Sequence, residues 1–242
     1  EDLEMIKHLT GAVRQVLDAL PPAGRLAAIR QLRTFLRDRK TLQNPHAVIA
    51  GLILLAAASD PRAVEEARAL LLAYLDRKHP EPVRRNAAVS LARLPLGPQS
   101  AAQLLPQLLP YLEEAEWSPV VQNVLPIVQR LELPAAAVPR LLPLLRRSPH
   151  VAVQAHVLER LRGHDSAAVV AALLPCLDSP QARLCDTAEA TLKSLPGAAD
   201  AVLREWLQGA APERARRLEA ILRAQPEPVR KRSAARAVER LL

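Results

Sequence analysis

Apolar residues recur along this chain at helical rather than strand spacing. The clearest pattern is a Pro near a turn, then about 12 residues with apolar side chains three and four apart, closing on Leu. It reads HPEPVRRNAAVSLARL from His79, SPVVQNVLPIVQRL from Ser118, SPHVAVQAHVLERL from Ser148 and SPQARLCDTAEATLKSL from Ser179. It returns as QPEPVRKRSAARAVERLL from Gln225, and a degenerate copy, NPHAVIAGLILLAAA, starts at Asn44. The closing leucines Leu94, Leu131, Leu161 and Leu195 lie 37, 30 and 34 residues apart, and the step to Leu241 is 46, which marks an insertion. A period of this length is the signature of stacked supersecondary units.

A second pattern alternates with the first: QLLPQLLPYLEE from Gln103, VPRLLPLLRRS from Val138 and AALLPCLDS from Ala171. Each is Leu-rich on one helical face and each carries a Pro. In a first turn Pro106, Pro139 or Pro143 costs little; further in, it removes a hydrogen bond and predicts a kink. Ser118, Ser148 and Ser179, each followed by Pro, predict N-caps with Pro at the first helical position. The first 60 residues predict helices near 2–19, 22–39 and 44–58, and ADAVLREWLQ with PERARRLEAILRA predicts an extra helix within 197–224. The total is about 14 helices in seven pairs.

Composition narrows the class. Half of the 242 residues are apolar, yet the aromatics are two Trp, two Tyr and one Phe, with 22 Pro and 7 Gly. Too little Gly excludes collagen-like sequence, the scarcity of Tyr, Phe, Trp, Ile and Thr with Gly-rich turns excludes a sandwich, and regular apolar spacing excludes disorder. No apolar run reaches 18 residues, so no membrane span is expected. Cys176 and Cys185 do not make a disulfide framework and read as small buried hydrophobes.

The alternating units resemble the HEAT repeat family over roughly residues 60–242, with weaker copies before. Family A helices often read LLPxLLxxL and B helices VRxxAAxALxxL after an Asp/Ser-Pro turn. VRRNAAVSLARL, from Val83 to Leu94, is close to that form. The turn Asp is mostly Ser here, and Val124 and Leu125 stand where the small Ala pair belongs. The resemblance implies an all-α, right-handed α-α superhelix of about six to seven helix pairs in one domain, 1–242. Its parts would be degenerate helices in 1–60, the best-defined repeats in 61–195, and a C-terminal repeat with an extra helix in 196–242.

Catalytic constellations are scarce. The sequence has no Gly-rich phosphate loop, no His-Glu-x-x-His and no Cys-x-x-Cys. His46, His79 and His150 fall at the Pro turns, and His156 and His164 could flank a groove. Asp186 and Glu189 share a helix face, which is more simply a solvated face than an acid/base pair. Alkylpurine-type DNA glycosylases also use HEAT-like repeats, with a Trp followed four residues later by Asp. Here Val121 and Ala210 occupy that place after Trp117 and Trp206.

The net charge of +8 sits at the ends: +3 in residues 1–40 and +5 in 212–242, with a neutral middle. Arg30, Arg33, Arg37 and Lys40 recur at i, i+3, i+7 and i+10, which predicts one basic helix face. Arg230, Lys231 and Arg232 open the final helix, and Arg84 and Arg85 hold the matching place in an earlier unit. The resemblance would put these groups on or near the inner groove lined by B helices. The expectation is therefore a non-catalytic scaffold or adaptor without cofactor or metal, binding a protein or peptide partner on a concave surface. The alternative is duplex nucleic acid held at its backbone by the basic terminal helices. The apolar ending VERLL adds possible association through the C-terminal helix.

Overall fold

The computed structural model describes residues 11–13, 15–97, 99–164, 166–195 and 200–224, and among these the chain is all helical, with no strand. The expected helix from Gln225 onward, with Arg230, Lys231 and Arg232, lies outside the described residues, as does the start of the expected 2–19 helix. Two compact units divide the chain at Glu132 and Leu133.

In the first unit, helical backbone at 15–19 leads into α1 (Pro22–Arg37), a short α2 (Arg39–Leu42), α3 (Pro45–Leu55), α4 (Pro61–Ala73), α5 (Glu81–Arg93), α6 (Ser100–Leu112) and α7 (Pro119–Arg130). Three of these starts share one chemistry. Asn44 accepts from the His46 and Ala47 amides at 3.0 and 3.3 Å, and Asp60 from Arg62 and Ala63 at 3.0 and 3.2 Å. Ser118 accepts from Val121 at 3.3 Å. In each, Pro follows at the first helical position, where its missing N–H is no loss.

Helices α3, α5 and α7 pack side by side in one layer, α1 packs on α4 in a second, and α1 on α3, α4 on α5 and α6 on α7 join the two. The leucines at the helix ends explain the layer: Leu55, which closes α3, and the closing leucines Leu94 and Leu131 are buried to 1% exposure or less. Each contributes about 2 kcal/mol by leaving water. Ala87 and Ala88 are fully buried, the close helix approach that small residues allow. Gly51 marks another: a Cβ there would lie 2.8 Å from Leu36 Cδ2, so α1 and α3 meet over a residue without a side chain.

The second unit begins with a 3-10 helix (Ala135–Leu141), followed by α8 (Leu144–Arg147), α9 (Val151–Arg160), α10 (Ala167–Leu173), a second 3-10 helix (Leu174–Asp178), α11 (Ala182–Lys193), α12 (Asp200–Leu207) and α13 (Pro212–Ala224). Here α9, α11 and α13 form one layer and α10 packs on α12, with α8 on α9 and α12 on α13 between them. The ADAVLREWLQ and PERARRLEAILRA segments thus form a helix pair of their own.

Pro has two outcomes. In α6, Pro106 and Pro110 lie on the exposed side and the helix continues through them. In the second unit the Leu-Pro segments break instead into α and 3-10 pieces around Pro139, Pro143 and Pro175. The expected Ser148 and Ser179 caps also differ. Their hydroxyls accept from His150 and Gln181, two residues on, at 3.3 and 3.2 Å, and α9 and α11 start later. At the first of these turns the Gln154 amide reaches back to the Leu145 and Ser148 carbonyls at 3.1 and 3.0 Å, holding the entry open.

Candidate interaction surfaces

The long-range hydrogen bonds repeat the interval between the units. Tyr74 Oη donates to the Leu36 carbonyl at 2.6 Å, 38 residues away, and burial raises its phenol pKa. Arg130 reaches the Ala92 carbonyl across 38 residues, and Thr191 Oγ1 lies 3.0 Å from the Leu158 carbonyl across 33.

Arginine supplies most of these ties. Arg30 Nε donates to Glu66 Oε1 at 3.1 Å, and Arg33 Nη1 lies 3.8 Å from Glu66 Oε2, linking α1 to α4. Buried Arg68 forks to Glu65 at 2.6 Å, Gln103 at 3.1 Å and the Pro95 carbonyl at 3.2 Å. Arg77 and Arg84 converge on Glu114 Oε1 at 3.3 and 2.9 Å. In the second unit Arg214 Nη2 sits 3.0 Å from Asp178 Oδ2 with its guanidinium over Trp206 at 4.7 Å. Arg217 reaches Glu189 at 3.4 Å and the Leu177 carbonyl at 3.0 Å. A planar fork with five donors suits such multi-acceptor ties better than an ammonium.

This reorders the basic candidates. Arg30 and Arg33 are tied to Glu66, and Arg84, about one-eighth exposed, is built into the fold. Arg37 and Arg85 are exposed. Lys40 does not extend the Arg30–Arg37 face: Asp38, with ψ 135°, ends α1 and caps α2 through the Lys40 and Thr41 amides. Glu114, from the acidic run Glu113, Glu114 and Glu116, is an internal acceptor rather than a free surface charge. The signal for these ties is in the sequence, as Arg30 to Glu66 and Arg77 to Glu114 are 36 and 37 residues apart.

Other polar candidates are placed as plainly. Glu189 holds Lys193 at 2.6 Å as well as Arg217, so it works as an ion-pair hub. His79 stacks on Tyr74 at 4.6 Å, and burial lowers its pKa. His156 is 7% exposed, so it flanks no open groove. Both cysteines are free thiols: Cys185 is buried and accepts from Arg217 at 3.0 Å, while burial raises the Cys176 thiol. Among the described residues no group of three His, Cys, Asp or Glu side chains could hold a metal ion. No described helix is long and apolar enough to cross a membrane.

The first unit also exposes the outer face of α3, α5 and α7. Counting nine, five and two residues back from Leu55, Leu94 and Leu131 gives three rows. These are His46, Arg85 and Gln122; Ala50, Val89 and Pro126; and Ile53, Ala92 and Gln129. All nine are exposed or half-buried, and Arg85 alone of them carries a full charge. The middle row is apolar throughout.

No protein-family model matches the chain, and no curated protein sequence matches it.

Proposed function

We propose that this chain is a non-catalytic scaffold that binds a protein or peptide partner on the outer face of α3, α5 and α7. In this reading the helix pairs are HEAT-like repeats wound as a right-handed superhelix, which turns that face into an extended groove. The observation that carries the proposal is the row Ala50, Val89 and Pro126, an apolar strip repeated on neighbouring helices and edged by His46, Arg85 and Gln122. A surface of this kind recognises side chains by shape and partial burial. It offers little to a phosphate backbone, which needs many free cations, whereas several arginines here are already tied to carboxylates.

Affinity capture with the intact chain tests it. A protein retained by the wild type and by Ala220→Glu, an exposed change on α13, should be lost with Val89→Glu. Partners kept equally by all three would overturn the assignment of this face. Nuclease-sensitive capture that falls steeply with salt would replace it with the nucleic-acid reading.

A further inference from the structure

A second surface lies wholly within the second unit. Between the first 3-10 helix with α8 on one side and α10 on the other runs a groove of about 530 Å³. One wall is Pro139 and Pro143, the other Ala168 and Ala171, and Arg146 and Arg147 stand on its rim. Its origin is the break described above. Prolines divide this segment into a 3-10 helix and a four-residue α-helix, so no long helix fills the space against α10. The volume lies within the ~300–1,000 Å³ of ordinary ligand pockets.

Arg146 differs from the arginines at the other junctions. Arg30, Arg68, Arg84 and Arg217 each find a carboxylate, amide or carbonyl acceptor in the fold, and Arg214 pairs with the Asp178 carboxylate. Arg146 is exposed, and the facing wall of α10 presents alanine side chains that accept nothing. Among the described residues no carboxylate lines this groove, whereas the cleft beside Arg214 has Asp178, Asp186 and Glu213 in its walls.

We infer that this groove takes a short acidic-apolar peptide segment of a partner protein, its apolar side chains between the Pro and Ala walls and its carboxylate on Arg146. The Pro and Ala walls lose little side-chain entropy on contact, which favours the apolar side chains of the segment. The site shares no residue with the α3–α5–α7 face, and either can fail without the other.

Selection of a random 12-residue displayed peptide library on the intact protein, with individual binders then measured by fluorescence anisotropy, tests the assignment. We expect binders that pair Asp or Glu with Leu, Ile or Val. Ala171→Trp, which fills the groove from an exposed position, should abolish their binding. Arg146→Glu should weaken it about ten-fold, roughly two surface-pair energies. Val89→Glu should leave it unchanged, and circular dichroism should show all three variants folded. Binders that are basic, binders insensitive to Ala171→Trp, or a selection yielding none would each overturn the proposal.

Discussion

Arg84 donates from Nη2 to Glu114 Oε1 at 2.9 Å, and 30 residues of chain separate them. Both side chains are nearly closed to solvent, at 12% and 11% exposure. Arg84 Nε also donates to the Leu75 carbonyl at 2.9 Å, and its guanidinium lies over Tyr111 at 5.9 Å. It therefore fixes the entry of α5 against the end of α6. Removing one partner of such a pair strands the other, at a cost of about 3 kcal/mol.

Arg84→Met should lower stability by about 2 kcal/mol, less than that full value because Arg77 still reaches Glu114. Adding Glu114→Gln should restore part of the loss. Arg85→Glu, exposed one residue along, should stay within about 0.5 kcal/mol. Urea unfolding of the three variants and the wild type measures this, and equal effects at Arg84 and Arg85 would show that the buried pair contributes nothing. Charge reversal at Arg84 is consequently a test of folding, and only Arg85 probes the outer face.

Four residues before the closing leucines stand Ser90, Ile127, Val157 and Thr191, all fully buried. Thr191 Oγ1 lies 2.8 Å from the Thr187 carbonyl and 3.0 Å from that of Leu158, so its hydroxyl is satisfied. Ser90 Oγ has no hydrogen-bond partner. A buried hydroxyl without one costs about 1–3 kcal/mol. Ser90→Ala should therefore stabilise the protein by about 1 kcal/mol, and Thr191→Val should destabilise it by about the same. Thermal unfolding of both separates the cases, since a packing effect alone would not give opposite signs.

The repeat was legible because closing leucines and Pro turns are local signals, and Leu94, Leu131, Leu161 and Leu195 all enter the core. The basic face was only partly so. Periodicity lines up Arg30, Arg33, Arg37 and Lys40, but Asp38 prefers its capping role and ends the helix between the last two. Nor does a single unit reveal which arginines are consumed. Arg84 and Arg85 are adjacent in sequence, and their fates part because helical rotation aims one at Glu114 and the other at solvent. Pro in Leu-rich helices is likewise ambiguous from spacing: Pro106, Pro139 and Pro143 are all exposed, yet the first sits inside a continuous helix and the other two where the chain leaves α geometry. The second unit's groove follows from that difference and so escapes a reading of apolar spacing.

His156 is the remaining polar residue with a calculable consequence. It is 7% exposed on α9, its Nε2 is buried without a hydrogen-bond partner, and desolvation, helped by Arg160, lowers its pKa from 6.5 to about 4. The folded protein thus resists protonation that the unfolded chain accepts below about pH 6.5. The stabilisation is fully present above that value and is lost as pH falls toward 4, at about 1.4 kcal/mol per pH unit and about 3 kcal/mol in all. His156→Leu, similar in volume and without the orphaned nitrogen, should remove this component and should not reduce stability at pH 7.5. Urea midpoints for both proteins between pH 7.5 and 4.5 decide it. The wild type should fall away from the variant below pH 6.5, and parallel curves would mean that His156 accepts its proton in the folded state.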